Sequence, residues 1–193
     1  MSAETRENPK RERCQMLMPV VTYGNGVLRE KALQVEEITD GIRSLARDML
    51  ESMYASRGVG LAAEQVGRRE SLCVIDVPPD AEKDGCRAEN AAVEMPLTMV
   101  NPEILSAEGS QRDEEGCLSF PDIIAQVTRA EKVTVAYTGL DGERRQASAR
   151  GLLARAIQHE IDHLNGVLLV DKMSAMQKMA VSGKLKRLQN QAH

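Results

Sequence analysis

Hydrophobic and polar positions along the chain alternate between two periods. Ile42, Leu45, Ala46, Met49, Leu50 and Met53 recur at helical spacing behind Thr39, whose hydroxyl suits an N-cap. The pattern therefore predicts a helix over 39–55, ended by Gly58 and Gly60. Residues 71–77, SLCVIDV, form a short β-rich run, and the polar, Pro- and Gly-containing stretch 78–96 reads as a long surface loop. Strand character returns over 97–104. Val133, Val135 and Tyr137 alternate with polar residues, and Gly139-Leu140-Asp141-Gly142 supplies turn chemistry, so the polar run to Arg150 is expected to pair back as a hairpin. A second helix begins near Gly151 and carries LLARAIQHEIDHL; the Met- and Lys-rich tail after Asp171 predicts a third.

Strands set between helices without regular β-α-β alternation favour an α+β domain. At 193 residues the chain suits a single domain with a substantial core. Residues 1–15 are polar and have little with which to offset the entropy of ordering, so they are read as a flexible extension ahead of one domain spanning 16–193. With Tyr 3, Phe 1 and no Trp, the core must be filled by Leu, Val, Ile and Met. A net charge of −4 argues against a broad phosphate-binding surface and direct DNA binding. Cys14, Cys73, Cys86 and Cys117 show no C-x-x-C pair or dense disulfide spacing, which fits free thiols in a reducing compartment. The N-terminus lacks an apolar h-region and no apolar run is long enough to span a bilayer, so a cytoplasmic protein without a membrane partner is expected.

The chemistry is concentrated in Gln158-His159-Glu160-Ile161-Asp162-His163-Leu164-Asn165-Gly166, which contains H-E-x-x-H within a predicted helix. At about 100° per residue, His159 and His163 fall about 40° apart around the axis and one turn from each other, so both imidazoles can meet one metal ion. Glu160 lies beside that pair, where a carboxylate can take a proton from water and deliver it to a leaving nitrogen. A chance match is expected in well under about 1% of unrelated chains of this length, so a surface helix with two incidental histidines is the weaker explanation.

A mononuclear catalytic site normally takes three protein ligands and leaves a position open. Leu169 stands where metzincin-type proteases place their third histidine, the remaining histidine is the terminal His193, and Asp171 is too close to serve as the glutamate of thermolysin-like enzymes. The third ligand must then come from upstream. Cys117, in Glu114-Glu115-Gly116-Cys117-Leu118-Ser119-Phe120-Pro121, is the best candidate, although a lone cysteine is more often a small buried hydrophobe. Gly58-Val59-Gly60-Leu61-Ala62-Ala63-Glu64-Gln65 offers a backbone that a substrate can approach closely, followed by a side-chain amide; by itself it reads more readily as a helix-to-strand connection. A metal-dependent endopeptidase, which should lack a role for Cys117 and Gln65, and a non-catalytic metal-binding or ribosome-associated protein, against which the intact Glu160 and Gln65 speak, are the competing readings.

Taken in order, GVGLAAEQ (58–65), EGCLS (115–119) and QHEIDHLNG (158–166) resemble the three signature motifs of the peptide deformylase family, and VTYGNGVLREKA and TRAEKV extend the similarity. The resemblance implies mainly antiparallel sheets packed around a central helix that carries H-E-x-x-H, with a C-terminal helix. It implies removal of the formyl group from the N-formylmethionyl end of nascent polypeptides, with Cys117, His159 and His163 as metal ligands. Glu160 becomes general base and acid, and Gln65 and the Leu118 backbone N–H become donors to the formyl oxygen. The implied metal is Fe(II), with Zn(II), Ni(II) or Co(II) able to occupy the same ligands. The peptide is expected to run along Gly58-Val59-Gly60, its first side chain entering a pocket of Val59, Leu152 and Ala156. Arg155, Asp113 and Ile124 stand where relatives carry other residue types, and they bear on substrate preference. Arg129 and Asp162 match a structural ion pair. The basic segment 172–193, with Lys172, Lys178, Lys184, Lys186 and Arg187, implies a local ribosome contact against the plainer reading of a solvated helix.

Overall fold

The computed structural model describes residues 17–81 and 84–192, side chains aside at 79, 84, 85 and 87. The expected extension at 1–15 and His193 lie outside the described residues. Helix α1, Asp40–Ala55, begins where the apolar period begins, and the Thr39 hydroxyl accepts the Ile42 N–H. Its Leu45, Ala46, Met49 and Met53 are buried against strands β1, Gly60–Ala62, and β2, Leu72–Ile75. These two strands open a five-stranded antiparallel sheet that continues through β3, Leu97–Glu108, then two strands of a hairpin, β6, Lys132–Thr138, and β7, Arg144–Arg150. The hairpin is the one expected from the alternation around Val133, Val135 and Tyr137, all three of which face the core.

A second sheet pairs β4, Gln111–Gly116, with β5, Ile124–Arg129, in continuous antiparallel register. The sequence pattern does not predict this hairpin. On β5, Ala125, Val127 and Arg129 alternate inward, but on β4 the one buried residue is Glu115, so hydrophobic alternation is lost where a charged residue points in. The stretch 78–96 is also not a plain loop. It contains α2, Asp84–Asn90, whose Asn90 side chain exchanges two hydrogen bonds with the Arg150 backbone, at 3.0 and 2.9 Å. Seven polar-rich residues give no apolar stripe from which such a helix could be read.

Helix α3, Gly151–Leu164, buries Leu153, Ala154, Ala156, Ile157, Ile161 and Leu164 in the core shared with β2, β3, β6 and β7. It stops at Asn165-Gly166: the Gly166 and Val167 N–H groups return to the His163 and Asp162 carbonyls, and Gly166 has φ +71. No other residue fits, since a Cβ on Gly166 would sit 2.6 Å from the Arg29 carbonyl oxygen. After the short α4, Leu169–Lys172, comes α5, Ala175–Gln191, opened by a reciprocal Ser174–Gln177 capping box. Leu185 and Leu188 seat α5 on a cluster with Leu28, Phe120 and Met173, and Lys184 Nζ donates to the Asp122 carbonyl at 2.6 Å. Among the described residues no helix is long and apolar enough to cross a membrane.

Candidate metal centre and substrate cavity

The three motifs converge although their elements lie in different parts of the fold. His159 and His163 project from one face of α3, their ring centroids 5.0 Å apart, and Cys117 follows directly on the end of β4. One ligand atom from each of Cys117, His159 and His163 lies within 4.8 Å of the others. Cys117 Sγ is 3.2 Å from His163 Nε2. His159 Nδ1 is 3.0 Å from Glu115 Oε2; with that hydrogen on Nδ1, the ring's lone pair falls on Nε2, toward the thiol. One thiolate and two imidazoles suit a divalent transition metal.

The close approach sets the two histidines in electrostatic opposition. His163 is pushed well below the ordinary histidine range by burial and by the charges of His159 and Arg129. For His159 burial acts the same way, but hydrogen bonds to Cys117 and Glu115 outweigh it and raise its pKa. Burial likewise works against ionisation of Glu115, yet the hydrogen bonds from His159 and Arg129 hold it well below the usual carboxylate range. Arg129 spans Glu115 with Nε at 2.6 Å and Nη2 at 2.9 Å, and its Nη1 reaches Asp162 at 2.7 Å, the ion pair expected from the sequence. In the sequence Glu115 reads only as part of a motif. Two residues before Cys117 on a strand, it points to the same face, and that spacing is its one sequence signal.

Glu160 is buried beside the histidines, with one carboxylate oxygen accepting nothing from the described residues. Burial, only partly countered by His159 and Arg129, raises its pKa to about 7. Gln65 closes the opposite side. Its Oε1 accepts the Ala62 N–H at 2.9 Å, which turns Nε2 toward Ser119 Oγ at 3.3 Å and Cys117 Sγ at 3.5 Å. The Leu118 N–H makes no hydrogen bond to the described residues.

These groups line a cavity of about 510 Å³ that also includes Gly58, Val59, Gly60, Leu118, Leu152 and Ala156. All the residues expected from the sequence to act on or hold substrate thus border one space; His163 lies below it, fully buried. The three positions tied to substrate preference separate. Ile124 is exposed on the cavity lip, Asp113 borders a smaller adjoining chamber, and Arg155 borders both but turns its guanidinium into Glu115. Strand β1 is an edge of its sheet, with β2 on one side only. Nothing in the sequence marks Glu64, fully buried next to Gln65, whose two oxygens find no hydrogen-bond partner among the described residues.

A histidine pair one helical turn apart, a neighbouring thiol, an adjacent buried glutamate and a cleft above them make the kind of arrangement in which mononuclear metallohydrolases hold their ion. The sequence model of the polypeptide deformylase family matches residues 17–179. A peptide deformylase from Acidobacterium capsulatum is 43% identical over 174 residues, covering 90% of this chain and 96% of the relative. Among solved structures, the peptide deformylase of Thermus thermophilus aligns with a TM-score of 0.78 at 36% identity, covering 91% of this chain and 99% of the other. A peptide deformylase from Synechococcus elongatus in complex with actinonin gives 0.75 at 39%, covering 86% and 87%. The chain belongs to the peptide deformylase family.

Proposed function

We propose that residues 16–193 form one catalytic domain that removes the formyl group from N-formylmethionyl nascent chains, with Cys117, His159 and His163 holding the metal. The observation that carries this reading is the convergence of those three ligand atoms within 4.8 Å at the floor of a cavity that Glu160 and Gln65 also border. Fe(II) is the metal proposed, with Zn(II), Ni(II) or Co(II) accepted by the same thiolate and imidazoles. Such an ion supplies Lewis acidity, polarising the formyl carbonyl and making water a competent nucleophile near neutral pH.

The protein's own groups do the rest. Glu160, raised to about 7 by burial, takes the proton of the attacking water and passes it to the departing amine nitrogen, giving formate and a free N-terminus. Gln65 Nε2, oriented by the Ala62 contact, and the Leu118 N–H donate to the formyl oxygen as negative charge grows there. The free edge of β1 with Gly58 and Val59 receives the peptide as an added strand, and Val59, Leu152 and Ala156 take the methionine side chain.

A cytoplasmic site of action and a local ribosome contact through 172–193 complete the proposal. Lys178, Lys186 and Arg187 are exposed on α5, and no acidic residue follows Asp171 to oppose them. The test is formate release from a short formyl-Met peptide by anaerobically purified, Fe(II)-loaded protein. Release is expected to be lost with Glu160→Ala; none from folded, metal-loaded wild type overturns the assignment.

A further inference from the structure

The metal ligands of this chain arrive on two independent pieces of structure, Cys117 on the β4–β5 hairpin and the histidines on α3, and something must register one on the other. Arg129 and Glu115 both belong to the hairpin, so the pair between them is internal to it; Arg129 reaches α3 through Asp162. Arg155 reaches from the helix. It precedes His159 by four residues on α3 and therefore shares its face. Its Nη1 donates to Glu115 Oε1 at 2.6 Å and to the Val127 carbonyl at 3.1 Å, and Nη2 lies 3.4 Å from the Gln111 carbonyl. One side chain of the helix thus holds both strands of the hairpin.

The side chains of Arg155 and Glu115 are only 5% and 4% exposed. A guanidinium so buried, with Nη1 and Nη2 already held by protein oxygens, is committed to the fold although Arg155 borders the cavity beside Leu152 and Ala156. Glu115 receives Arg129 on both oxygens from within the hairpin, and from α3 it receives Arg155 on Oε1 and His159 on Oε2. Arg129 sets the carboxylate on the hairpin, and Arg155 ties its first oxygen to the helix that carries His159.

We propose that Arg155 is a positioning residue of the metal centre: it clamps Glu115 so that the carboxylate orients His159 and holds the Cys117-bearing hairpin in register with α3. The inference rests on the reading of Cys117, His159 and His163 as ligands. Partners that orient a ligand in this way typically change metal affinity by about 10–100-fold when removed.

The test measures Zn(II) affinity by chelator competition and the absorption spectrum of the Co(II)-substituted protein, for wild type, Arg155→Met, Arg155→Lys, Leu152→Ala and Cys117→Ser. Arg155→Met is expected to lose about 10–100-fold in Zn(II) affinity and to alter the Co(II) spectrum, with Arg155→Lys recovering part of both because it keeps one donor. Leu152→Ala reshapes the same cavity wall and should move KM while leaving metal affinity alone. If Arg155→Met does not fold, Arg155→Lys carries the comparison. Wild-type Zn(II) affinity and spectrum in the Arg155 variants, with changes confined to KM, would overturn the inference. Tight binding that survives Cys117→Ser would instead overturn the ligand reading on which it rests.

Discussion

Glu160 occupies the space that a side chain on Gly60 would need. A Cβ built on Gly60 would lie 2.3 Å from Glu160 Oε1 and 2.8 Å from its carboxylate carbon. The Glu160 side chain fills the gap between strand β1 and helix α3, with only the Gly60 hydrogen facing it, and this brings the carboxylate up to the edge along which substrate is proposed to lie.

Gly60→Ala is therefore expected to displace the Glu160 carboxylate while the proposed ligands Cys117, His159 and His163 stay in place. Misplacing a catalytic group by about 1 Å can lower turnover on the order of 100-fold, so kcat should fall by that order with metal content unchanged. Steady-state kinetics with metal analysis checks this. An alanine variant with wild-type kcat would mean that the position of Glu160 is not limiting.

The reach of the sequence can be judged from particular residues. His159, Glu160 and His163 are legible because one helical period places them, and α1 and the β6–β7 hairpin because their apolar residues keep a strict period. Cys117 gains meaning only through its motif, since a lone cysteine says nothing about what faces it. The β4–β5 hairpin is hidden because Glu115 and Arg129 occupy inward positions that hydrophobic patterning reserves for apolar residues. Arg155 is hidden for the same reason. Its partners Glu115, Gln111 and Val127 are distant in sequence, and without them a charged residue on an otherwise buried helix face reads as a change in the substrate pocket.

The proposed division of labour separates binding from turnover. Cys117→Ser should weaken metal binding, whereas Gln65→Ala should leave it intact and lower kcat by about 10²–10³-fold, the usual effect of removing one donor to a developing oxyanion. Metal analysis beside single-turnover formate release distinguishes them. Retention of full affinity and rate in Cys117→Ser would mean that the ligand assignment is wrong.

Arg57 ends α1 in a left-handed conformation, φ +57, with its N–H on the Tyr54 carbonyl at 3.0 Å and the Gly58 N–H on the Met53 carbonyl at 2.9 Å. This is the helix-terminating position that normally falls to glycine. Arg57→Gly should raise stability by about 0.5–1 kcal/mol, the relief of left-handed strain less the added freedom of the unfolded chain, whereas Arg57→Ala should give no such gain. Urea denaturation of the two variants beside wild type reads the difference directly.

Glu64 gives the protein a pH dependence of defined sign. Burial, reinforced by the Glu160 and Glu70 charges against some help from its own backbone N–H, raises its pKa from 4.5 to about 8. Below pH 4.5 folded and unfolded chains both carry the proton. Between 4.5 and about 8 the unfolded chain releases it while the folded protein keeps it, so this group's contribution to stability declines as pH rises, and above about 8 the loss levels off. Glu115, Glu70 and Asp171, held low by their partners, act in the opposite direction as pH falls into the acid range, so the comparison must be made against a variant. Glu64→Gln removes the titration while keeping the shape. Its stability relative to wild type should increase from about pH 5 to about pH 8 by a few kcal/mol, on the order of 1.4 per pH unit, as followed by urea denaturation of the Zn(II)-loaded proteins. A difference that stays constant across that range would mean that the Glu64 carboxyl is ionised in the fold and has found a partner there.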